Sequence, residues 1–412
     1  MAFQHGVYTS EVETSISAAP SVDASLPFVV GSSKAAFGPK VVSSWAEYVE
    51  AGGFSDDDAA LDPTTEGWHP HSLTSFAYFW FRVAGRGDCV MVGLASDGLS
   101  DGSAEDADVT QTAILSALDK IDTVYEVTRR QPSLICVPYF NKTDAVKAAM
   151  HAKAMKYGGQ FKAIALADIP ANAIAGDDQT VSPVTSADSV ATAKTAVSPY
   201  LVSCWPYAGV DEMRFDLSTV LAATMNRVDG ENGGLPFVSP SNKNCYVNGL
   251  YVANASGTET PIFMNRDAVN TKIDGNGVVT ARNTAAGWVA WGNNTTAYPG
   301  SSDIKDYMMP IRRMFNYVQN LWQVFAAPRI DNPLNKRQLD GVVNSFNQVL
   351  ASLQGFGALN AASIALDDAR NTTATLLAGT VYFKIMIAPP PPWQVIHGVF
   401  EYDVVGFEAS LA

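Results

Sequence analysis

The period of apolar and polar positions changes several times along the chain, and each change predicts an element. LPFVVGSSKAAFGPK begins as a strand and runs into a loop. A short helix follows, with Ser44 and Glu47 forming an S-x-x-E capping box and Gly52-Gly53 ending the turn. HSLTSFAYFWFRV reads as a buried aromatic helix, and a strand runs from Asp88 to Leu94 beyond a glycine turn. From Gln111, the residues Ile114, Leu115, Leu118, Ile121 and Tyr125 recur at helical spacing. SLICVPYF, TDAVKAAMHAKAMKYG and FKAIALADIP then read strand, helix, strand, a βαβ unit that predicts parallel sheet. A helix in SADSVATAKTA and a strand in YLVSCWPY extend it.

Beyond residue 210 the pattern becomes mixed. TVLAATMNRVDG predicts a helix leading into a Gly/Pro/Asn loop. KIDGNGVVTARNTAAGWVAWGNN predicts a hairpin with its turn at Asn276-Gly277 and a second strand through Trp288 and Trp291. Two amphipathic helices follow, one in YMMPIRRMFNYVQNLWQVFA and one carrying Leu339, Val342, Val343, Phe346, Leu350 and Leu353 on a single face.

The C-terminal region alternates strictly. Val381, Phe383, Ile385 and Ile387 point one way, and Tyr382, Lys384, Met386 and Ala388 the other. Pro389–Pro392 interrupt, and a second strand is expected, with Ile396, Phe400, Tyr402 and Val404 on one face and His397, Glu401 and Asp403 on the other. Four prolines form a stiff rod of about 3.1 Å per residue. They donate no ladder hydrogen bonds and cannot make a tight hairpin. The last strand is therefore held away from the one before it, and its outlets are an edge of the chain's own sheet or an edge on a neighbour. Residues 1–24 lack a helical period, and Tyr8, Val12 and Ile16 share a face of an extended arm, which favours the second outlet.

These elements make a mixed α/β class: a βαβ-containing body with an inserted domain and extended strand arms at both ends. The expected division is an arm over 1–24 and the first part of a polymerising domain over 25–96. A central body with the insertion covers 97–375, and the C-terminal strands with the Pro389–Pro392 spacer cover 376–412. Residues 97–110, rich in Gly, Ser and Asp, are expected on an exposed loop.

Composition narrows the chemistry. The 412 residues hold 41 acidic and 27 basic side chains, a net charge of −14, which argues against a nucleic-acid-binding stripe. No apolar run approaches the ~20 residues of a membrane span, and the first residues lack a secretory pattern, so a soluble chain is expected. The four cysteines, at 89, 136, 204 and 245, form no CxxC and are expected as buried thiols. His69 and His71 read as a helix-start loop, and the acidic runs at 56–58 and 274–277 as solvated turns, since neither continues to a twelfth-position carboxylate. The loop after SLICVPYF has no glycine for a phosphate, and GxxxxGK[ST] is absent. Arg266, Asp267 and Asp229 have no partner identifiable in sequence. No catalytic, metal or cofactor site emerges, and the chain reads as a non-enzyme. The rivals are a hydrolase assembled from scattered carboxylates on the βαβ region and a static coat or tube protein.

In order along most of its length, the chain resembles the tail sheath proteins of contractile bacteriophages and related contractile injection particles. The resemblance rests on VVGSSKAAFGPKVVSSWAEYVEAGGF, LTSFAYFWFRVAGRGDCVMVGLAS, SALDKIDTVYEVTRRQPSLICVPYF, FKAIALADIPA and MNRVDGENGGLPFVSPSNKNCYVNG. It continues through AGWVAWGNNTTAYPGSSDIKDYMMPIRRMFNYVQ, with a G-x-x-x-W-G segment before a Tyr/Arg-Arg helix, and LLAGTVYFKIMIAPPPPWQVIHGVFEYDV. Asn293-Asn294 stand where the family usually has Arg-Thr. The resemblance implies sixfold rings stacked as a sleeve around a tail tube, with baseplate and terminator proteins as further partners. It also implies strands exchanged between neighbours, here through Tyr8, Val12, Ile16, Val381, Phe383, Ile385, Ile396, Phe400 and Tyr402. The expected location is a virion tail or injection particle, assembled in a bacterial cytoplasm.

Overall fold

The computed structural model of the chain describes residues 22–56, 58–62, 71–96, 109–171, 184–194, 196–253 and 258–411. Twelve strands build two sheets: β1 (Pro27–Ser33), β2 (Phe37–Val42), β3 (Cys89–Ala95), β4 (Leu134–Cys136), β5 (Ile164–Asp168), β6 (Leu201–Cys204), β7 (Tyr207–Val210), β8 (Met213–Phe215), β9 (Gly249–Ala253), β10 (Glu259–Pro261), β11 (Val278–Thr284) and β12 (Gly287–Trp291). A third sheet holds β13 (Ala361–Leu366) and β14 (Phe383–Ala388).

The largest sheet has the order β12-β11-β6-β5-β4-β1-β3-β2. Its six inner strands are parallel, and β2 and β12 close the edges antiparallel. This is the parallel sheet that the βαβ pattern predicts. It also joins the first ninety residues to the middle of the chain, because β1 lies between β3 and β4.

Strand alternation divides the core between the two faces. Val29, Met91, Leu134, Ile164 and Val202 face α1 (Trp45–Ala51), α2 (Ser72–Ala77) and, later in the chain, residues 217–231. Phe28, Val30, Val90, Val92, Ile135 and Ala165 face α3 (Gln111–Asp119), α4 (Ile121–Thr128) and α5 (Asp144–Met155). The remaining helices are α6 (Val190–Ala193), α7 (Leu217–Glu231), α8 (Arg266–Ala268), α9 (Ile304–Tyr307), α10 (Met309–Ala326), α11 (Lys336–Gly355), α12 (Thr373–Leu377) and α13 (Val404–Ser410). The four-stranded sheet, β10-β9-β7-β8, is antiparallel.

Several expectations are corrected. The β11–β12 hairpin turns at Ala285-Ala286, between Thr284 and Gly287, and not at Asn276-Gly277. Gly277 instead ends a 3-10 turn with φ +71°, where an added Cβ would meet Tyr298 O at 2.7 Å and Thr295 O at 2.9 Å. The strand in SLICVPYF stops at Cys136, and Tyr139 takes φ 65°. Val109 is buried at the entrance to α3, where Thr110 caps Ala113 N–H. The rest of the expected loop, residues 97–108, lies outside the described residues, as do His69 and the arm residues Tyr8, Val12 and Ile16. His71 precedes α2, buried, with Nε2 3.2 Å from Ser96 O.

Candidate functional site: a platform and an unpartnered arm

Two helices and two strands build a platform near the C-terminus. Met314, Val318, Leu321 and Phe325 recur every three or four residues along α10 and pack against Phe346, Leu350 and Leu353 of α11. β13 and β14 lie over this pair as an antiparallel ladder. On β14 the inner residues Phe383, Ile385 and Ile387 join the cluster, while Lys384, Met386 and Ala388 are exposed. The Trp322 ring lies 5.0 Å from Phe346 and 5.3 Å from Phe383, which ties both elements to α10. Phe383 and Ile385 are thus half-buried against their own subunit's helices, and Val381 is half-buried just before the strand.

Beyond Ala388 the packing stops. Pro389 is still buried, but among the described residues no backbone hydrogen bond reaches residues 389–401. Ten large apolar side chains between Trp393 and Leu411 are exposed, with Trp393 at 89%, Ile396 at 78%, Phe400 at 98% and Tyr402 at 71%. Burying each would contribute about 1.5–3 kcal/mol, so the arm leaves a large apolar area unburied in the single chain. The expected strand over 393–405 is not formed in the single chain. A lone strand leaves its backbone groups unpaired, and from Val404 a helix forms instead, its Gly406 N–H capped by Asp403 at 2.8 Å.

The first described residues meet the same platform. Val22 packs against the α10–α11 cluster. Asp23 accepts two hydrogen bonds of 2.9 Å from the Arg130 guanidinium, which also donates to Asp88 at 2.6 Å. That bond holds the Asp88 carboxyl below its ordinary range. Arg313 of α10 donates to Ala24 O at 3.2 Å and pairs with Asp229 of α7, both side chains fully enclosed. Sequence reading left Asp229 without a partner; it lies 84 positions from Arg313, and only folding brings them together. Arg266 and Asp267 merely approach each other, at 4.0 Å on the surface.

A second polar group, also missed in sequence, sits at the C-terminal ends of β4 and β5. Lys142 Nζ lies 2.8 Å from Asp216 Oδ1, above the rings of Tyr139 and Tyr207. Asp168 accepts from Asn141 Nδ2 at 2.8 Å, from Ser218 N–H at 3.0 Å and from the Ser218 hydroxyl. Residues this polar at strand ends resemble a catalytic set, but Asn141, Lys142, Asp168, Asp216 and Ser218 are all buried, with no surface on which a substrate could sit. Their role is to tie α7 to the sheet. Among the described residues no group of three His, Cys, Asp or Glu is placed to hold a metal. Asn293 and Asn294 also act structurally: Asn293 accepts from the Ser239 hydroxyl, and Asn294 reaches Asp274 at 3.4 Å.

These buried carboxyls give the fold a pH signature. Burial, reinforced by the nearby Asp216, raises Asp168 to about 7. Burial also raises Asp229 to about 6 against the pull of Arg313. The native chain holds these protons where the unfolded chain releases them, so stability falls as pH rises from about 4 through 7. We expect acidification from pH 7 to 5 to raise stability by on the order of 2 kcal/mol. Urea titrations at several pH values should show this, and Asp168→Asn, which resembles the protonated form, should flatten the slope. An unchanged slope in that variant would remove Asp168 from the account.

A parallel-centred α/β body with an antiparallel rim and a helix-backed two-stranded sheet is a fold that this chain shares with solved structures of contractile particles. A chain of the six-fold symmetrised anti-feeding prophage baseplate matches 98% of this chain and 100% of its own length, with a TM-score of 0.66 and 19% identity. A chain of the PVC extracellular contractile injection system sheath complex, in the contracted state, matches 98% and 99% with a TM-score of 0.65 and 18% identity. In sequence, the chain is similar to the tail sheath protein of Burkholderia phage BcepMu, 24% identical over 303 residues, or 69% of this chain. The match spans 58% of that phage protein's length. No protein-family model matches. The resemblance read from the sequence therefore holds in both sequence and fold.

Proposed function

We propose that this chain is the structural subunit of a contractile tail sheath. It polymerises around a tail tube and contracts to drive that tube through a cell envelope. The observation that carries this reading is the likeness over nearly the whole chain to a contractile injection system sheath complex. The exposed arm beyond Pro392 supports it, because such a segment suits a polymer better than a free subunit. Contraction is rigid-body rotation of subunits about their interfaces, with energy stored in the extended assembly and no chemical step.

The subunits stack as sixfold rings, and the tube, baseplate and terminator proteins are the further partners. The particle is a virion tail or a related injection device, built in a bacterial cytoplasm. Arms through Tyr8, Val12 and Ile16 at one end and Ile396, Phe400 and Tyr402 at the other pair with neighbouring subunits. They hold the bodies together while those bodies rotate. The division into an arm, a polymerising part near both termini and an inserted body follows the same reading.

Negative-stain imaging and size-exclusion chromatography over a concentration series test this. Hollow cylinders of defined width are expected. A chain that stays monomeric throughout would overturn the reading, and cylinders of a single, unchangeable geometry would favour a static tube.

A further inference from the structure

Four stretches far apart in the chain meet just before β1. Arg313 of α10 donates to Ala24 O at 3.2 Å, and Ile164 N–H at the start of β5 donates to Ser133 O at 2.9 Å, just before β4. Further along α10, Asn316 Nδ2 donates to Ala163 O at 3.0 Å. Between these contacts lies a small cavity, whose walls include Asp23, Ala24, Ser133, Arg313, Asn316 and Tyr317.

Two polar atoms of these lining residues are buried without a hydrogen-bond partner among the described residues: Asn316 Oδ1 and Ser133 Oγ. Asn316 is only 5% exposed, and polar atoms buried so deeply are normally paired. The direction of its amide is fixed. Only the NH2 end can face the Ala163 carbonyl, so the oxygen is the end left for the cavity. The space open to the centre of a water-sized sphere is about 10 Å³. One ordered water needs roughly 10–15 Å³ on that scale, so the cavity holds a single molecule and nothing larger.

We propose that this cavity is the binding site of one ordered water, which bridges Asn316 Oδ1 to the Ser133 hydroxyl. The water donates to the amide oxygen, and the hydroxyl can meet it as donor or acceptor. A metal ion or ammonium is a poor occupant. Asp23 is the acidic residue of the lining, and its carboxylate already accepts two hydrogen bonds from Arg130, while the Arg313 guanidinium stands in the wall. No uncompensated negative charge is left for a cation, and the site calls for a neutral donor the size of water. Bound there, the water extends the Arg313–Ala24 contact into a joint that fastens α10 to the entrances of β1 and β4. The site is complete within one subunit, whether or not the chain assembles.

A high-resolution crystal structure of the full-length chain tests this. One solvent peak is expected about 3 Å from both Asn316 Oδ1 and Ser133 Oγ. A cavity without density, or Asn316 Oδ1 bonded directly to Ser133 Oγ, overturns the site. Crystals soaked in a rubidium salt check the occupant, because an anomalous peak in the cavity would make it a cation and overturn the assignment to water. Ser133→Thr and Ser133→Val, close in size, check the bridge in solution. The first keeps a hydroxyl and the second does not, so Ser133→Val should unfold in urea with an equilibrium constant roughly three- to tenfold larger. Equal stabilities of the two variants would overturn the part given to the Ser133 hydroxyl.

Discussion

Replacing Phe400 and Tyr402 together with Asp should leave a folded, soluble chain that builds no cylinders. Both side chains are exposed in the single subunit, and among the described residues the ring near either is Phe407, 6.2 Å from Tyr402. Surface substitutions without packing partners usually change stability by less than about 0.5 kcal/mol. The effect therefore falls on assembly. In the proposed exchange, these rings enter the apolar face of a neighbour's sheet, where two unpaired carboxylates would each carry a penalty of several kcal/mol. A thermal melt and an electron micrograph separate the two possibilities. An unchanged midpoint with no cylinders is the expected pair of results. A lowered midpoint with cylinders still forming would place the segment in its own subunit's core and end the exchange reading.

Arg313→Ala should be among the most damaging single changes in the body. The guanidinium and the Asp229 carboxylate are enclosed, at 3% and 1% side-chain exposure, and Arg313 also holds Ala24 O. Removing one partner of a buried pair strands the other charge, which typically costs about 3–5 kcal/mol. Asp229 would take up a proton more readily, returning part of that loss at low pH. Urea unfolding should show a large drop in midpoint at pH 7.5 and a smaller one at pH 5. The double variant Asp229→Leu with Arg313→Met should recover most of the loss, since no buried charge remains. A single variant within about 1 kcal/mol of the parent would show the pair to be hydrated in solution. Because Arg313 also fixes residue 24, the single variant should loosen the root of the N-terminal arm, readable as faster amide exchange at residues 22–26.

What could be read in advance follows the range of the interactions involved. The helices α10 and α11 and the strand β14 were legible because their apolar periods are local and uninterrupted. The capping box at Ser44 was legible for the same reason: Glu47 N–H meets Ser44 Oγ at 3.2 Å, and the partners are three residues apart. The β11–β12 turn was misplaced because Asn-Gly is a strong hairpin signal. The register with β6, which pairs Val278 with Ser203, recruits that glycine to the strand entrance instead. Lys142–Asp216 and Asp229–Arg313 left no local trace, since nothing within a turn of either residue announces a partner.

By itself, the sequence determined the alternation of strands and helices, the parallel heart of the body and the awkward arm beyond Pro392. Each of these depends on neighbouring residues and on the stiffness of proline, which act before any fold exists. Tertiary structure alone decided which charges are buried together and that Val22 and β14 pack on one helix-backed platform. It also decided that the Asn347 amide of α11 meets both backbone groups of Ile364 on β13. Those outcomes depend on distances between residues far apart in the chain, which are set only once the apolar faces of sheet and helices have packed.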